Sequence, residues 1–435
     1  MDVCVIGLWH QGIVGAACLA ELGCSVIASD HDASKVSRLN DGRAPLYEPG
    51  LDELIVAGLE SGRLRFSADV AVSVRGCPYV LLMFDTPVND RDESDLTEVL
   101  SSAEEIAPQL EDGVVLYVTA QVPVGTCDRI ERIIREANPA LRFGIAYSPE
   151  NLRLGQAIER FLHPALPVIG ADDPATLDRL ESLLALLGVE WVRVGLRTAE
   201  MTKHALNAFL ATSICFANEL GNLCDEVGAD GRQIAEVLRL EPRVGPKAML
   251  SPGLGFAGGT LARDMQTLRS LGDRSGLETP LLDGAWESNS RQNRLVVRKL
   301  KKAFDGRGLT GVRAAVLGLT YKPDTSTLRR SASLEIIGDM AGEGMIVAAH
   351  DPKANRDELA ARRDFRFDED VYATVEGADA LVLITPWPEY KSLDFARVRR
   401  LMSRPMVIDT ANLLDALSME RLGFTYLDIG RGRVA

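Results

Sequence analysis

The sequence predicts an α/β protein in which two parallel-sheet lobes flank a helical middle. Three features carry that expectation. Short runs rich in Val, Ile and Leu alternate with helical patterns up to Gly170, as expected of strands buried on both faces of a parallel sheet. The same alternation returns beyond residue 313. Between the two lies TAEMTKHALNAFLATSICFANELGNLCDEVG (198–228), apolar over most of its girth and unbroken up to its closing glycine. A chain of 435 residues exceeds what one ordinary core organises. Domains are expected at 1–197, 198–298 and 299–435.

Strand Asp2–Ile6 opens the chain, a small-residue helix follows over 13–22, and a second strand, Ser25–Ala28, ends at Asp30. Further buried strands are expected in YVLLMF (79–84), GVVLYVTA (113–120), FGIAYS (143–148) and LPVIG (166–170). At about 1.5 Å per residue the 198–227 helix would run roughly 40 Å. Its apolar surface must be covered, by neighbouring helices or by a second subunit. A helix near 281–305 then leads into the strands of the second lobe, AAVLGLT (314–320), MIVAAHD (345–351), ADALVLIT (378–385) and PMVIDT (405–410).

Composition narrows the function classes. Forty-eight basic against 62 acidic side chains leave a net charge of −14, which disfavours a general nucleic-acid or anionic-membrane surface. No apolar run approaches the roughly 20 residues of a membrane span. The start, MDVCVIGLWHQG, lacks the basic residues of a secretory signal. The 7 cysteines, at 4, 18, 24, 77, 127, 215 and 224, are scattered without zinc spacing. Reduced thiols, a cytoplasmic location and no metal site are the expectations.

The turn after the first strand reads Gly7-Leu8-Trp9-His10-Gln11-Gly12. A glycine-rich turn between strand and helix lets backbone N–H groups meet a pyrophosphate at the helix N-terminus. The first and third glycines of G-x-G-x-x-G are present; Trp9 replaces the second. Asp30 stands at the end of the next strand, placed to hold a ribose diol and to repel a 2′-phosphate, so NAD is expected over NADP. The lobe therefore reads as Rossmann-like. The competing reading is a non-binding turn with Trp9 as packing. His10 is expected at the surface or in a cleft, without a partner.

Taken together, eleven ordered stretches resemble the UDP-glucose/GDP-mannose dehydrogenase family. They are VIGLWHQG (5–12), ASDHD (28–32), PLYEPGL (45–51), DTPVND (85–90), VPVGT (122–126), SPENLRLG (148–155), AEMTKHALNAF (199–209), EPRVGPK (241–247), GFAGGTLARD (255–264), LGLTYKPDT (317–325) and DPKA (351–354). The resemblance implies oxidation of a nucleotide-sugar primary alcohol by NAD, twice, to a uronic acid. It implies that the first lobe takes NAD and the last the nucleotide, with the long helix pairing two subunits into a homodimer. The implied cofactor contacts are Gly7, Trp9, Gly12, Asp30, Thr86 and Gln121. The implied catalytic set is Glu150, Lys203, Asn207 and Asp264, with Thr260 at the nucleophile position. Arg243, Phe256, Gly258, Lys322 and Arg329 are the implied substrate contacts. Spacing agrees for one pair: Lys203 and Asn207, four apart on a helix, share a face, with Glu200 on the same stripe. A cation and an amide donor at one oxygen suit hydride removal from an alcohol, because negative charge gathers there. Alone, such a pair would read as a solvated helix stripe.

The family carries cysteine where this chain has Thr260. There a thiolate adds to the first-formed aldehyde and the second oxidation yields a thioester; a hydroxyl needs a well-placed base to do the same. With no cysteine after 224 there is no near substitute. Thr260 is expected to cap the helix that LARDMQTLRSLG begins and Gly272 closes. Gln121 stands for a family threonine, and Ala165-Leu166 for an Asp-Arg pair. Residues 325–332 (TSTLRRSA) and 410–412 (TAN) depart from T-D-D-x-R-x-S-P and G-R-N. The expected function is thus a nucleotide-sugar oxidoreductase limited to one hydride step. The alternative is a non-catalytic nucleotide or nucleotide-sugar binding homologue.

Overall fold

The computed structural model of the chain describes residues 1–89, 93–150, 152–257, 259–306, 308–360 and 362–432. It forms two compact units, Met1–Leu206 and Asn207–Ala435. In the first, the strands are Asp2–Ile6, Ser25–Ser29, Leu64–Ser67, Tyr79–Leu82, Val115–Val118, Gly144–Tyr147, Val168–Gly170 and Val192–Val194 (β1 to β8). Their order in the sheet is β3-β2-β1-β4-β5-β6-β7-β8. All neighbours pair in parallel except β6 and β7, which meet antiparallel at Tyr147 and Gly170. Alternation along β1 explains its unbroken apolar run. Val3 and Val5 face one core with Leu81 and Ala146, while Cys4 and Ile6 face the other with Val80 and Leu82.

In the second unit the strands are Arg313–Leu317, Ile346–His350, Arg366–Phe367, Ala380–Leu383, Met406–Asp409 and Thr425–Leu427 (β9 to β14). They lie in the order β11-β10-β9-β12-β13-β14, and every neighbouring pair is parallel. The expected helix at 281–305 is two, Pro280–Gln292 and Leu295–Ala303. Asn293, in the break, accepts from Gly255 N–H at 3.3 Å and donates to Glu335 at 2.7 Å, so its side chain is committed elsewhere. The long helix is continuous over Leu196–Val227.

The two sheets repeat one local device. Gly7, at φ 96°, donates to Ser29 O at 3.0 Å, and Leu8 N–H donates to Asp30 at 2.8 Å. Gly318, at φ 93°, donates to His350 O at 2.9 Å, and Leu319 N–H donates to Asp351 at 2.7 Å. In each case a left-handed glycine turns the chain off the first strand under the carboxylate that ends the second.

Candidate active site

The first turn is shaped by contact between backbones. A Cβ on Gly12 would lie 1.8 Å from Gly7 O, so only glycine lets the helix His10–Glu21 approach the strand this closely. Trp9 sits at the N-cap, half exposed, with its carbonyl accepting from Ile13 N–H at 3.0 Å. The bulky residue in the middle of the motif therefore leaves the helix start intact. Asp30 also accepts from Asp32 N–H at 2.9 Å and from Lys35 Nζ at 2.7 Å. With the close glycine approach and an acid at the strand end, Gly7, Trp9, Gly12 and Asp30 fit a bound dinucleotide. Thr86 Oγ1 donates to Gln121 O at 2.8 Å, joining the loops that follow β4 and β5. Gln11 was missed in the sequence: its amide donates to Phe84 O at 2.6 Å and accepts from Thr119 at 3.0 Å, tying three strand ends together.

His10 differs from expectation. It is buried, and its Nε2 lies 3.2 Å from Glu48. Glu48, from the PLYEPGL stretch, also accepts from Gly155 and Ala157 N–H groups, each at 2.8 Å. One buried carboxylate thereby anchors the SPENLRLG loop that bears Glu150. Glu200 differs as well: fully buried, it accepts from Gly125 N–H at 2.7 Å and Cys127 N–H at 2.9 Å, and so serves the N-terminus of the helix Thr126–Ala137. A stripe position read from spacing alone does not reveal which way a carboxylate turns.

Lys203 is buried and acts electrostatically on Glu150. Burial pushes the Glu150 carboxyl above its ordinary range and Asp85 adds to the rise; Lys203, the Leu152 N–H and His10 partly offset it. In the second unit Asn207 is buried and its Nδ2 donates to Asp264, which is wholly buried. Neither Lys203 nor Asn207 lies on a solvated stripe. The Asp264 carboxylate fixes the carboxamide so that one N–H is used and a second remains to donate.

The glycine loop ahead of Asp264 is held by side-chain amides that periodicity cannot signal. Asn218 accepts from Gly253 N–H at 2.8 Å and donates to Leu254 O at 2.9 Å. Asn289 accepts from Phe256 N–H at 2.7 Å and Gln292 donates to Gly253 O at 2.7 Å. Phe256 itself packs beside Met265 and Ala211. Thr260 is not the expected cap. Gly259 occupies the N-cap, no side chain caps the helix, and Thr260 is its exposed first residue. The helix runs past Gly272 to Ser275 and closes at Gly276, φ 67°. A Cβ on Gly272 would come within 2.9 Å of Leu277 O, so that glycine serves packing rather than termination.

Other expected contacts lie less deep. Arg243 is exposed and pairs with Glu241 at 2.8 Å, two residues away, so one chain alone does not enclose it in a pocket. Lys322 is exposed over the Tyr321 ring, and Arg329 is exposed with its N–H on Thr327 Oγ1 at 3.1 Å. Gly258 lies outside the described residues. Asn412, at φ 52°, clips Ile429 through both amide atoms, at 3.0 and 3.2 Å. All seven cysteines are free and buried. Burial pushes the Cys18 thiol up to about 12 and the Cys215 thiol up to about 11.

Family models match along the chain. The NAD binding domain of the UDP-glucose/GDP-mannose dehydrogenase family matches residues 1–187, its central domain 197–291 and its UDP binding domain 315–416. A UDP-glucose 6-dehydrogenase of Pseudomonas aeruginosa is 35% identical over 100% of this chain and 98% of its own. One from Rhizobium meliloti is 35% identical over 99% of this chain and 100% of its own. The solved UDP-glucose dehydrogenase of Pyrobaculum islandicum superposes with a TM-score of 0.85 at 30% identity, covering 98% of this chain and 96% of that one. With a glycine turn and acid that suit NAD, and family matches running from one end to the other, this chain belongs to the UDP-glucose/GDP-mannose dehydrogenase family, NAD-binding members with a nucleotide-binding second lobe.

Proposed function

We propose that the chain is a UDP-glucose 6-dehydrogenase-like oxidoreductase that moves one hydride between a nucleotide-sugar CH–OH carbon and NAD. The division of labour follows 1–197 for cofactor, 198–298 for chemistry and pairing, and 299–435 for the nucleotide. Bound NAD supplies the hydride acceptor. Lys203 and Asn207, four apart on the continuous Leu196–Val227 helix, hold the reacting oxygen as it gains negative charge. Asp264 orients the Asn207 amide and assists the proton. Glu150, kept more readily protonated by burial although Lys203 partly offsets this, holds or yields a proton near that oxygen. Gly7, Gly12 and Asp30 hold the dinucleotide, with Thr86 and Gln121 on the loops beyond. Phe256, Arg243, Lys322 and Arg329 are assigned to the substrate, as is Gly258, which lies outside the described residues.

The observation that carries the one-step limit is Thr260. It is the exposed first residue of its helix, at the position where the family resemblance implies an acyl-forming cysteine, and all seven thiols of this chain are buried at residue 224 or before. Supporting a homodimer, Phe209, Phe216 and Leu223 repeat every seven residues on the long helix and are more than half exposed. Buried free thiols accord with the cytoplasm. Among the described residues no helix is long and apolar enough to cross a membrane.

The test is stoichiometry. With UDP-glucose and a panel of other nucleotide sugars, NADH formed per sugar consumed and product mass should indicate one hydride and no uronate. Thr260→Cys should yield uronate where the unmodified protein gives none. Two NADH per sugar from the unmodified protein would refute the one-step reading. NAD binding without hydride transfer to any sugar would leave a binding homologue instead.

A further inference from the structure

The reversal of strand direction at β7 has a consequence next to Glu150. Because β7 meets β6 only at Gly170, β7 and β8 overhang the carboxyl edge of the parallel strands. Beside Leu166 and Trp191, which precede these two strands, lies a cavity of about 70 Å³, wholly within the first unit. Leu19, Leu81, Leu183 and Leu187 are among its apolar walls, and Glu150 lines one side. Two polar atoms in that lining are out of place. Trp191 is 8% exposed and its Nε1 is buried without a hydrogen-bond partner among the described residues; the same holds for Nε of Arg160. A buried donor left unpaired is costly, and a guanidinium more so than an indole, so such atoms in a native protein call for an acceptor.

We propose that this cavity binds a small carboxylate with a short apolar body, its oxygens accepting from Trp191 Nε1 and Arg160 Nε and its chain lying among the leucines. Size fits the class. At roughly 10–15 Å³ per water-sized group, the space takes about five to seven such groups, the heavy-atom count of a four- or five-carbon acid. Charge fits as well: a guanidinium prefers an anionic acceptor, and a hydrogen bond to a charged group is the stronger kind. Gln11 of the glycine turn also lines the cavity, so the inference adjoins the proposed reaction, but a binding measurement tests it without turnover.

Calorimetric titration of the full chain, free of NAD, with pentanoate gives the measurement, and 1-pentanol is the neutral control. One pentanoate per chain is expected, with pentanol at least tenfold weaker. Trp191→Phe keeps the ring and removes the donor; Arg160→Met keeps the stem and removes the cation. Each should weaken pentanoate about tenfold or more while leaving pentanol within about twofold. Circular dichroism and the thermal midpoint report folding, and Trp191→Phe alone suffices should Arg160→Met not fold. No pentanoate binding at millimolar concentration overturns the proposal. So does unchanged affinity in Trp191→Phe, or displacement of pentanoate by saturating NAD. Hydride transfer, assayed in the same preparation, stands or falls separately.

Discussion

The pair most open to a quantitative test is Asn207 and Asp264. Asp264 is wholly buried and accepts from Asn207 Nδ2, so Asn207→Leu withdraws a donor from a buried carboxylate while keeping the side-chain volume nearly constant. A hydrogen bond to a charged group contributes about 1.5–3 kcal/mol, and its loss here carries the cost of an under-satisfied buried acid. The expected loss is about 2–3 kcal/mol, a fall in Tm of roughly 4–12 °C for a unit of this size. Asp264→Asn costs less, about 0.5–1.5 kcal/mol, because a neutral amide oxygen still accepts and no charge is stranded. If the two groups act on each other, the double variant costs less than the sum of the singles by about 1–2 kcal/mol. Urea unfolding followed by circular dichroism at pH 7 measures all four proteins. Turnover adds a readout that packing alone would not move: Asn207→Leu should lower kcat at least a hundredfold and leave KM for NAD within about threefold. Strict additivity of the two stability losses, or an unchanged kcat, would refute the assignment of Asp264 as the group that positions Asn207.

Three further outcomes follow from other parts of the chain. Gly12→Ala sets a methyl 1.8 Å from a backbone oxygen, so the turn must open; NAD affinity, by fluorescence titration, should drop at least tenfold. The seven buried thiols should resist an aromatic disulfide reagent at pH 7.5 in the native protein and all react in urea; one fast native thiol contradicts their burial. Burial raises the folded pKa of Glu150, so its contribution to stability is present below the ordinary value of about 4.3 and is lost as pH rises through the folded value. The stability of the unmodified protein relative to Glu150→Gln should therefore fall as pH rises above about 4.3; a difference flat with pH would mean that the carboxyl is not perturbed.

Strands buried on both faces were readable because β1, β4 and β5 are apolar on each face and the run itself is the signal. The edge strands were not. Leu64–Ser67, Val192–Val194 and Arg366–Phe367 have two to four residues and include arginine, so no continuous apolar run marks them. The break at Asn293 was hidden for a different reason: its neighbours favour helix, and only tertiary bonds to Gly255 and Glu335 separate the two segments. In the first turn, the residues defined by backbone approach, Gly7 and Gly12, were legible. Side chains that orient others were not, since Gln11, Glu48 and Asn289 lie 33 to 109 positions from the groups they bind. Thr260 lay between the two cases: its place at the start of a helix was readable, but the cap proved to be Gly259.

The repeated glycine–acid device explains why likeness of fold does not imply likeness of ligand. Asp351 accepts from Leu319, Thr320, Lys353 and Ala354 N–H groups, from the Thr320 hydroxyl and from Trp387 Nε1, the longest at 3.2 Å. Six donors are more than two carboxylate oxygens leave room to add to, so this acid is consumed in holding its own turn. Asp30 has three such partners, Leu8, Asp32 and Lys35, and one of them is a flexible ammonium that a ribose hydroxyl can displace. The same strand–glycine–strand–acid geometry thus leaves a displaceable partner on the acid of the first unit and a full set of donors on that of the second. An enzyme that must hold two different nucleotides on two related sheets needs that asymmetry, and here it resides in the number of donors around one carboxylate.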